Sequence, residues 1–281
     1  MKRSKITILL AIVLGMTFHS CLDLEPQDQL GGKNMWTSVN DYKQFANTFY
    51  SWTRDFSSVV YDGTHSDKRS DLITYQSYNE FSRGINSIPS SDANYTDNYK
   101  HIRRTNLLLQ NAEAYAKPED IKQYIGEAYF FRAYSYFDLL QLYGDVIITK
   151  KPLDITDPEM KVKRNDRSEV VDLIIDDLNH AVENLPAFKE LTTEEEGRIS
   201  KEGAQAFLSR VALYEGTWQK SRNGNQNTQR SANLLDIAAK AARTVIDAKY
   251  GYTFRLFGTD SETKILGDSA QKYMFILENE K

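Results

Sequence analysis

The 281-residue sequence predicts a mainly α-helical fold: stacked antiparallel helix pairs with long loop insertions and few short strands. Three observations lead there. Apolar residues recur at spacings of three and four over much of the chain after Ser38. Helix starts fall near residues 99, 121, 168, 200 and 233, so consecutive helices can return along one another. The segment from Ile121 to Val146 is oily on most sides of its helix and must therefore lie between others.

The first residues are not part of that body. A basic start (Lys2, Arg3, Lys5) leads into an apolar run from Ile6 to Phe18, broken by Thr7, Gly15 and Thr17, and then to Ser20 and Cys21. Residues 1–20 thus read as a signal peptide. The run falls short of the roughly 20 apolar residues that a membrane-spanning helix needs. Cys21 is the only cysteine, so no intrachain disulfide can form in an oxidising compartment. Phe18-His19-Ser20-Cys21 looks like the relaxed lipobox of bacterial lipoproteins, which would make Cys21 the acylated mature N-terminus; the competing reading is a stray thiol just past the cut. Several acyl chains anchor a protein stably where one does not. Losing residues 1–20 removes three of the 35 Lys and Arg and leaves 32 against 39 Asp and Glu, a formal −7. So acidic a body argues against nucleic acid and anionic lipid as partners, and leaves the lipid as the means of membrane attachment.

Residues 21–37 are acidic, then Gly-rich, without period, and read as a flexible tether. From Ser38 a helix begins, with Tyr42, Phe45, Ala46, Phe49 and Tyr50 on its inner side and Ser38 or Asn40 as cap. Between Thr53 and Asn98 the period is lost and polar residues mix with Tyr61, Tyr75, Tyr78, Phe81 and Tyr95, which predicts a long loop region; long ordered loops are usually functional. A second helix over Tyr99–Ala116 carries Tyr99, Ile102, Asn106, Leu109 and Ala112 on one side. Pro118 opens the third, which Gly144 ends. Val146-Ile147-Ile148 and Pro152 are extended. Asp166 and Glu169 can form a capping box for a helix with Val171, Ile174, Leu178, Ala181 and Leu185 inward, stopped by Pro186. Ser200 caps a helix with Ala204, Phe207, Leu208, Val211 and Tyr214 inward, and Asn233 precedes a last one with Leu234, Ala238, Ala241, Val245 and Ala248 on a stripe. Small residues in these two permit close approach. The arrangement is that of tetratricopeptide-like helix pairs, irregular against the repeat of about 34 residues.

Tests for chemistry are negative. None of His19, His65, His101 and His180 pairs with another His or a Glu at metal-ligand spacing, and one cysteine excludes zinc thiolate sites. Thr64-His65-Ser66-Asp67 holds the letters of a catalytic triad without a nucleophile elbow. Asp92-Ala93-Asn94 resembles the opening of a calcium loop, but Asp97 stands where Gly is required and Arg103 where Glu is required; only a looser calcium site stays open. No phosphate-binding Gly motif occurs. Asp176 and Asp177 read as solvated charges on the polar side of a helix, and His101, Arg103 and Arg104 as packing against carboxylates. No catalytic residue, metal site or cofactor is predicted.

The lipobox followed by CLDLEP, then GEAYFFRAYSYFDLLQLYGDV, RNDRSEVVDLIIDDLNHAVENLP and GRISKEGAQAFLSRVALYEGTW, resembles in order and spacing the SusD/RagB family of Bacteroidetes nutrient-uptake lipoproteins. The resemblance runs from about Cys21 to the end of the chain. It implies a non-enzymatic lipoprotein on the outer membrane, facing the exterior, that grips oligosaccharides or other nutrients and passes them to a TonB-dependent SusC-like transporter. It also implies a helical domain over residues 38–225 and, over 226–281, the start of a C-terminal region that is cut short, since family members are usually much longer. Ligand sites in the family lie in loops, where aromatic rings cover sugar faces and polar groups bond hydroxyls. On that basis Tyr75, Tyr78 and Tyr95 are the ring candidates here, and Asp67, Asp71, Arg83 and Asn98 the polar ones; no Trp lies in that region. The alternatives are a lipoprotein scaffold serving only protein assembly, and a glycoside hydrolase suggested by the abundant carboxylates.

Cys21→Ala should abolish acylation. Radiolabelled palmitate should enter the parent and not the variant; equal incorporation into both refutes the anchor.

Overall fold

The structure, a computed structural model, describes residues 35–54, 80, 83–222 and 228–254. Six α-helices lie in the described residues: α1 Val39–Asn47, α2 Ala93–Glu113, α3 Lys122–Tyr143, α4 Arg167–Asn184, α5 Lys201–Arg222 and α6 Thr228–Ile246. Short 3₁₀ turns flank them at Thr48–Trp52 and Pro118–Ile121. The helices pack in chain order, α2 on α3, α3 on α4, α4 on α5 and α5 on α6, with α1 laid against α3. This is the stacked-pair architecture expected. In place of short strands, the described residues hold only an isolated antiparallel bridge between Val146 and Asn165.

Local chemistry accounts for the helix ends. Ser38 caps α1, and Asp41 bonds back to the Ser38 amide at 2.8 Å. Pro118 sits in the first turn of the 3₁₀ segment that leads into α3. Gly144, at φ 72°, ends α3 in a conformation that costs other residues a steric clash. Asp166 and Glu169 form the expected box at the start of α4. On α5, a Cβ at Gly216 would come within 2.9 Å of the Leu235 side chain, so this glycine lets α6 close against α5.

Two helices begin earlier than their apolar periods do. α2 starts at Ala93, six residues before Tyr99, because Asp92 caps it and accepts from the Asn94 amide at 2.9 Å. Tyr95 and Asn98, expected in loop, therefore belong to its first turns. α6 starts at Thr228 rather than near Asn233; its first inward residue is Ser231, whose hydroxyl bonds the Gly216 carbonyl at 2.7 Å. A polar residue satisfied by a neighbouring helix leaves no hydrophobic period to read.

α3 is the axis of the molecule. Tyr124, Ala128, Phe130, Phe131, Ala133, Tyr136, Phe137, Leu139 and Leu140 are buried on all sides of it, which bears out its burial between other helices. Among these apolar groups lie three arginines with fully buried carboxylate partners. Arg132 of α3 forks onto Asp177 of α4 at 2.6 and 2.8 Å. Arg167 of α4 meets Glu215 of α5 at 2.8 and 2.9 Å and covers the Trp218 ring at 4.2 Å. Arg198, ahead of α5, forks onto Glu127 of α3 at 2.7 and 2.8 Å. Asp177 is thus not a solvated charge. It follows Ile174 by three residues and precedes Ala181 by four, which turns it inward, while Asp176 stays exposed.

The basic group on α2 also differs from expectation. Arg103 donates to the Leu153 carbonyl at 3.2 Å, and Arg104 to the Thr48 hydroxyl at 3.0 Å while lying over Phe45. His101 stacks on Trp52, with centroids 4.1 Å apart and planes 14° from parallel. Carbonyl, hydroxyl and ring, rather than carboxylate, receive these groups because the neighbouring surfaces are an extended chain, a helix end and an aromatic face. Burial holds the His101 imidazole down to about 4.

Two measurements follow. Asp177→Ala strands the Arg132 guanidinium and should cost about 3–5 kcal/mol in urea unfolding, whereas Arg132→Met with Asp177→Leu should cost less than Asp177→Ala alone. The unfolded chain takes up a proton at His101 below about 6.5 and the folded one only near 4, so this group removes stability as pH falls through that window. His101→Phe should therefore lose about 1–2 kcal/mol less than the parent between pH 7 and 4.5, allowing for solvent screening.

Candidate functional site

The first turns of α2 and the extended chain after α3 enclose a groove of about 520 Å³. Tyr95, Thr96, Tyr99, Lys100 and Arg103 line it from the helix; Ile147, Thr149, Lys151 and Leu153 line it from the extended chain, with Glu159 and Met160 beyond. The helical spacing brings Tyr95, Tyr99 and Arg103 onto one side of α2.

The extended wall forms no sheet, so its backbone groups need other partners. Side chains of the two helices supply them. Tyr99 donates to the Ile147 carbonyl at 2.8 Å. Tyr136 of α3 receives the Thr149 amide at 2.7 Å. Asn106 of α2 reaches the carbonyls of Thr149 and Lys151 at 3.0 and 3.3 Å, and Arg103 holds that of Leu153. The Asn106 side-chain oxygen accepts in turn from Arg132 at 2.8 Å, so the buried Arg132–Asp177 pair braces the wall through one intermediate. Asn165 closes the other edge, accepting from the Ile148 amide at 2.9 Å.

The groove joins apolar ring faces to polar rims. Tyr95 packs tilted on Tyr99, with centroids 4.8 Å apart, and edge-on against Tyr143 at 5.2 Å. Burial pushes the Tyr99 phenol well above its ordinary range, so it remains a neutral donor to Ile147. Lys151 pairs with Glu159 at 2.7 Å, and this hydrogen bond raises the lysine. Lys100 pairs with Asp97 at 2.7 Å, a bond that lowers the carboxyl. Both pairs are about half exposed or more, and such pairs are worth little and exchange readily.

Of the ring and polar candidates named from the sequence, Tyr95 lines the groove. Asn98 is buried; its amide donates to the Asn94 carbonyl at 2.8 Å and to Asp138 at 2.9 Å, a role in holding α2 on α3. Arg83 is exposed in the turn before α2 and is not among the residues lining the groove. Cys21, Asp67, Asp71, Tyr75 and Tyr78, and with them His65, lie outside the described residues. Sequence reasoning did not single out Tyr99, Lys100, Arg103, Thr149 and Lys151 as ligand residues. The fourfold step from Tyr95 to Tyr99 was legible, but the placing of residues 147–153 beside it was not.

No grouping of His, Cys, Asp and Glu suited to a metal occurs among the described residues. Asp92, the first residue of the calcium-like triplet, spends one carboxylate oxygen on the Asn94 amide and the other on the Tyr143 hydroxyl at 2.7 Å. Among the described residues no helix is long and apolar enough to cross a membrane.

A family model described as starch-binding and associating with the outer membrane matches residues 22–213. Among curated proteins, the SusD-like protein P38 of Formosa agariphila is 28% identical over 233 residues, 76% of this chain and 42% of the relative. The SusD-like protein P2 of the same organism is 28% identical over 238 residues, 79% of this chain and 45% of the relative. The chain thus spans less than half the length of these relatives. Among solved structures, a SusD-like protein of Bacteroides fragilis shares the fold with a TM-score of 0.59 at 24% identity, over 85% of this chain and 43% of that one. A laminarin-binding SusD-like protein matches with a TM-score of 0.50 at 28% identity, over 63% of this chain and 35% of that one.

Proposed function

The chain belongs to the SusD-like family, and from that premise we propose that it is a non-catalytic lipoprotein of the outer membrane that captures oligosaccharides at the exterior and passes them to a TonB-dependent SusC-like transporter. Cys21 carries the lipid, and residues 21–37 hold the helical body away from the membrane. Tyr95 is the residue by which the described part of the chain takes hold of sugar.

The observation that carries this reading is the groove itself. A sugar ring has a C–H-rich face that an aromatic ring covers, and hydroxyl rims that need donors and acceptors already oriented. Tyr95 and Tyr99 supply ring faces, while Thr96, Thr149, Lys100, Lys151, Arg103 and Glu159 supply the rims. The wall is braced before any ligand arrives, which lowers the ordering cost of binding. The laminarin-binding relative and the starch-binding description of the family support glycan as the ligand class. Asp67, Asp71, Tyr75, Tyr78 and Arg83 remain proposed contributors, Arg83 from outside the groove, while Asn98 would act only by holding α2 on α3. The competing reading is an assembly scaffold, which needs no such groove.

Native affinity electrophoresis of the full-length protein in detergent, across a panel of polysaccharides, separates the two readings. Retardation by at least one polysaccharide, weakened about tenfold or more in Tyr95→Ala, is expected. Unretarded migration through every gel favours the scaffold.

A further inference from the structure

The charged lining of the groove is mostly cationic. Lys100, Arg103 and Lys151 line it, against Glu159 as the lone lining carboxylate. The body around it is acidic, at −7 once residues 1–20 are removed, so a groove whose charged lining is three cations to one carboxylate runs against the charge of the chain. Arg103 uses one N–H on the Leu153 carbonyl and meets no carboxylate among the described residues. Arg103 lines the same groove as Tyr95 and Tyr99. A guanidinium held in place by its neighbour's carbonyl presents a planar fork that matches a carboxylate.

The two lysines have acidic partners, Asp97 and Glu159, and Asp157 also stands near Lys151. Those pairs lie in water. Lys100 is 67% exposed in its side chain and Lys151 53%. Exposed pairs contribute about 1 kcal/mol or less, so a carboxylate delivered by a ligand can take either lysine without a large loss, while Asp97 or Glu159 returns to solvent. A neutral sugar has no comparable use for three cationic donors in one groove with two tyrosine rings.

We infer that the groove between α2 and residues 147–160 selects uronate-bearing oligosaccharides, with a ring face on Tyr95 and Tyr99 and the carboxylate on Arg103 flanked by Lys100 and Lys151. This rests on the glycan-capture reading and sharpens it. The carboxylate forms charge-assisted hydrogen bonds that a hydroxyl or ester cannot match, and salt weakens them.

The test compares polygalacturonate with its fully methyl-esterified form, which keeps the sugar and removes the charge, and with laminarin as a neutral glucan. Full-length protein in detergent should bind polygalacturonate about tenfold or more tighter than the ester, with the advantage shrinking as sodium chloride rises. The Lys100→Gln, Lys151→Gln double variant alters only exposed side chains and should lose about tenfold in polygalacturonate affinity with an unchanged thermal midpoint. Arg103→Gln should lose more, with its fold checked by circular dichroism. Equal binding of acid and ester, or tighter binding of laminarin, overturns the uronate preference and leaves glycan capture standing. Absence of binding to all three overturns this inference, and absence across the wider panel overturns glycan capture as well.

Discussion

Three arginines set against three fully buried carboxylates fix the arrangement of this molecule. Arg132 with Asp177, Arg167 with Glu215 and Arg198 with Glu127 each join elements distant in sequence, and each carboxylate is wholly removed from solvent. Taking such ions out of water costs several kcal/mol apiece, so the pairs are weak evidence of net stability. Their effect is directional. An apolar helix can slide or rotate against its neighbour with modest loss, whereas a guanidinium that misses its carboxylate leaves two buried charges bare. The three pairs therefore penalise every helix register but one. All three arginines lie in the segments FFRAYSYF, RNDRSEVV and GRISKEG, on which the family resemblance rests.

The same constraint reaches the groove. Arg132 gives two of its donors to Asp177 and a third to Asn106, and Asn106 passes the restraint on to the carbonyls of Thr149 and Lys151. An extended segment outside any sheet would ordinarily leave its peptide groups to water. Here Tyr99, Arg103, Asn106 and Tyr136 receive them, and the segment becomes a fixed wall. Aromatic residues take part twice, by ring contact and by hydroxyl, which explains why a chain with 17 Tyr can use so many beside its core. Scaffold and groove thus share residues, and Asp177 is linked to the groove wall through Arg132 and Asn106.

Polar residues at helix starts explain where sequence reading and structure part. α3, α4 and α5 were legible because many of their inward residues are apolar and their ends carry proline, glycine, a capping box or, at α5, the Ser200 hydroxyl. The first turns of α2 and α6 were not, since Asn98 and Ser231 face inward and are satisfied by Asp138 and by the Gly216 carbonyl. Asp177 was misread for a related reason: a charge adjacent to another charge looks solvated until its partner on a different helix is known.

The sequence by itself determined the helical class, the order of the helices, most of their caps and, through linked motifs, the family. These are properties of neighbours within a few residues, where periodicity and local hydrogen bonding act. Only the tertiary structure decided which charges are buried, which polar residues face inward and which side chains meet at the groove. Tyr95 and Lys151 are separated along the chain by the rest of α2 and the whole of α3, and what brings them together is the packing of α2 on α3, a long-range choice that no local pattern encodes.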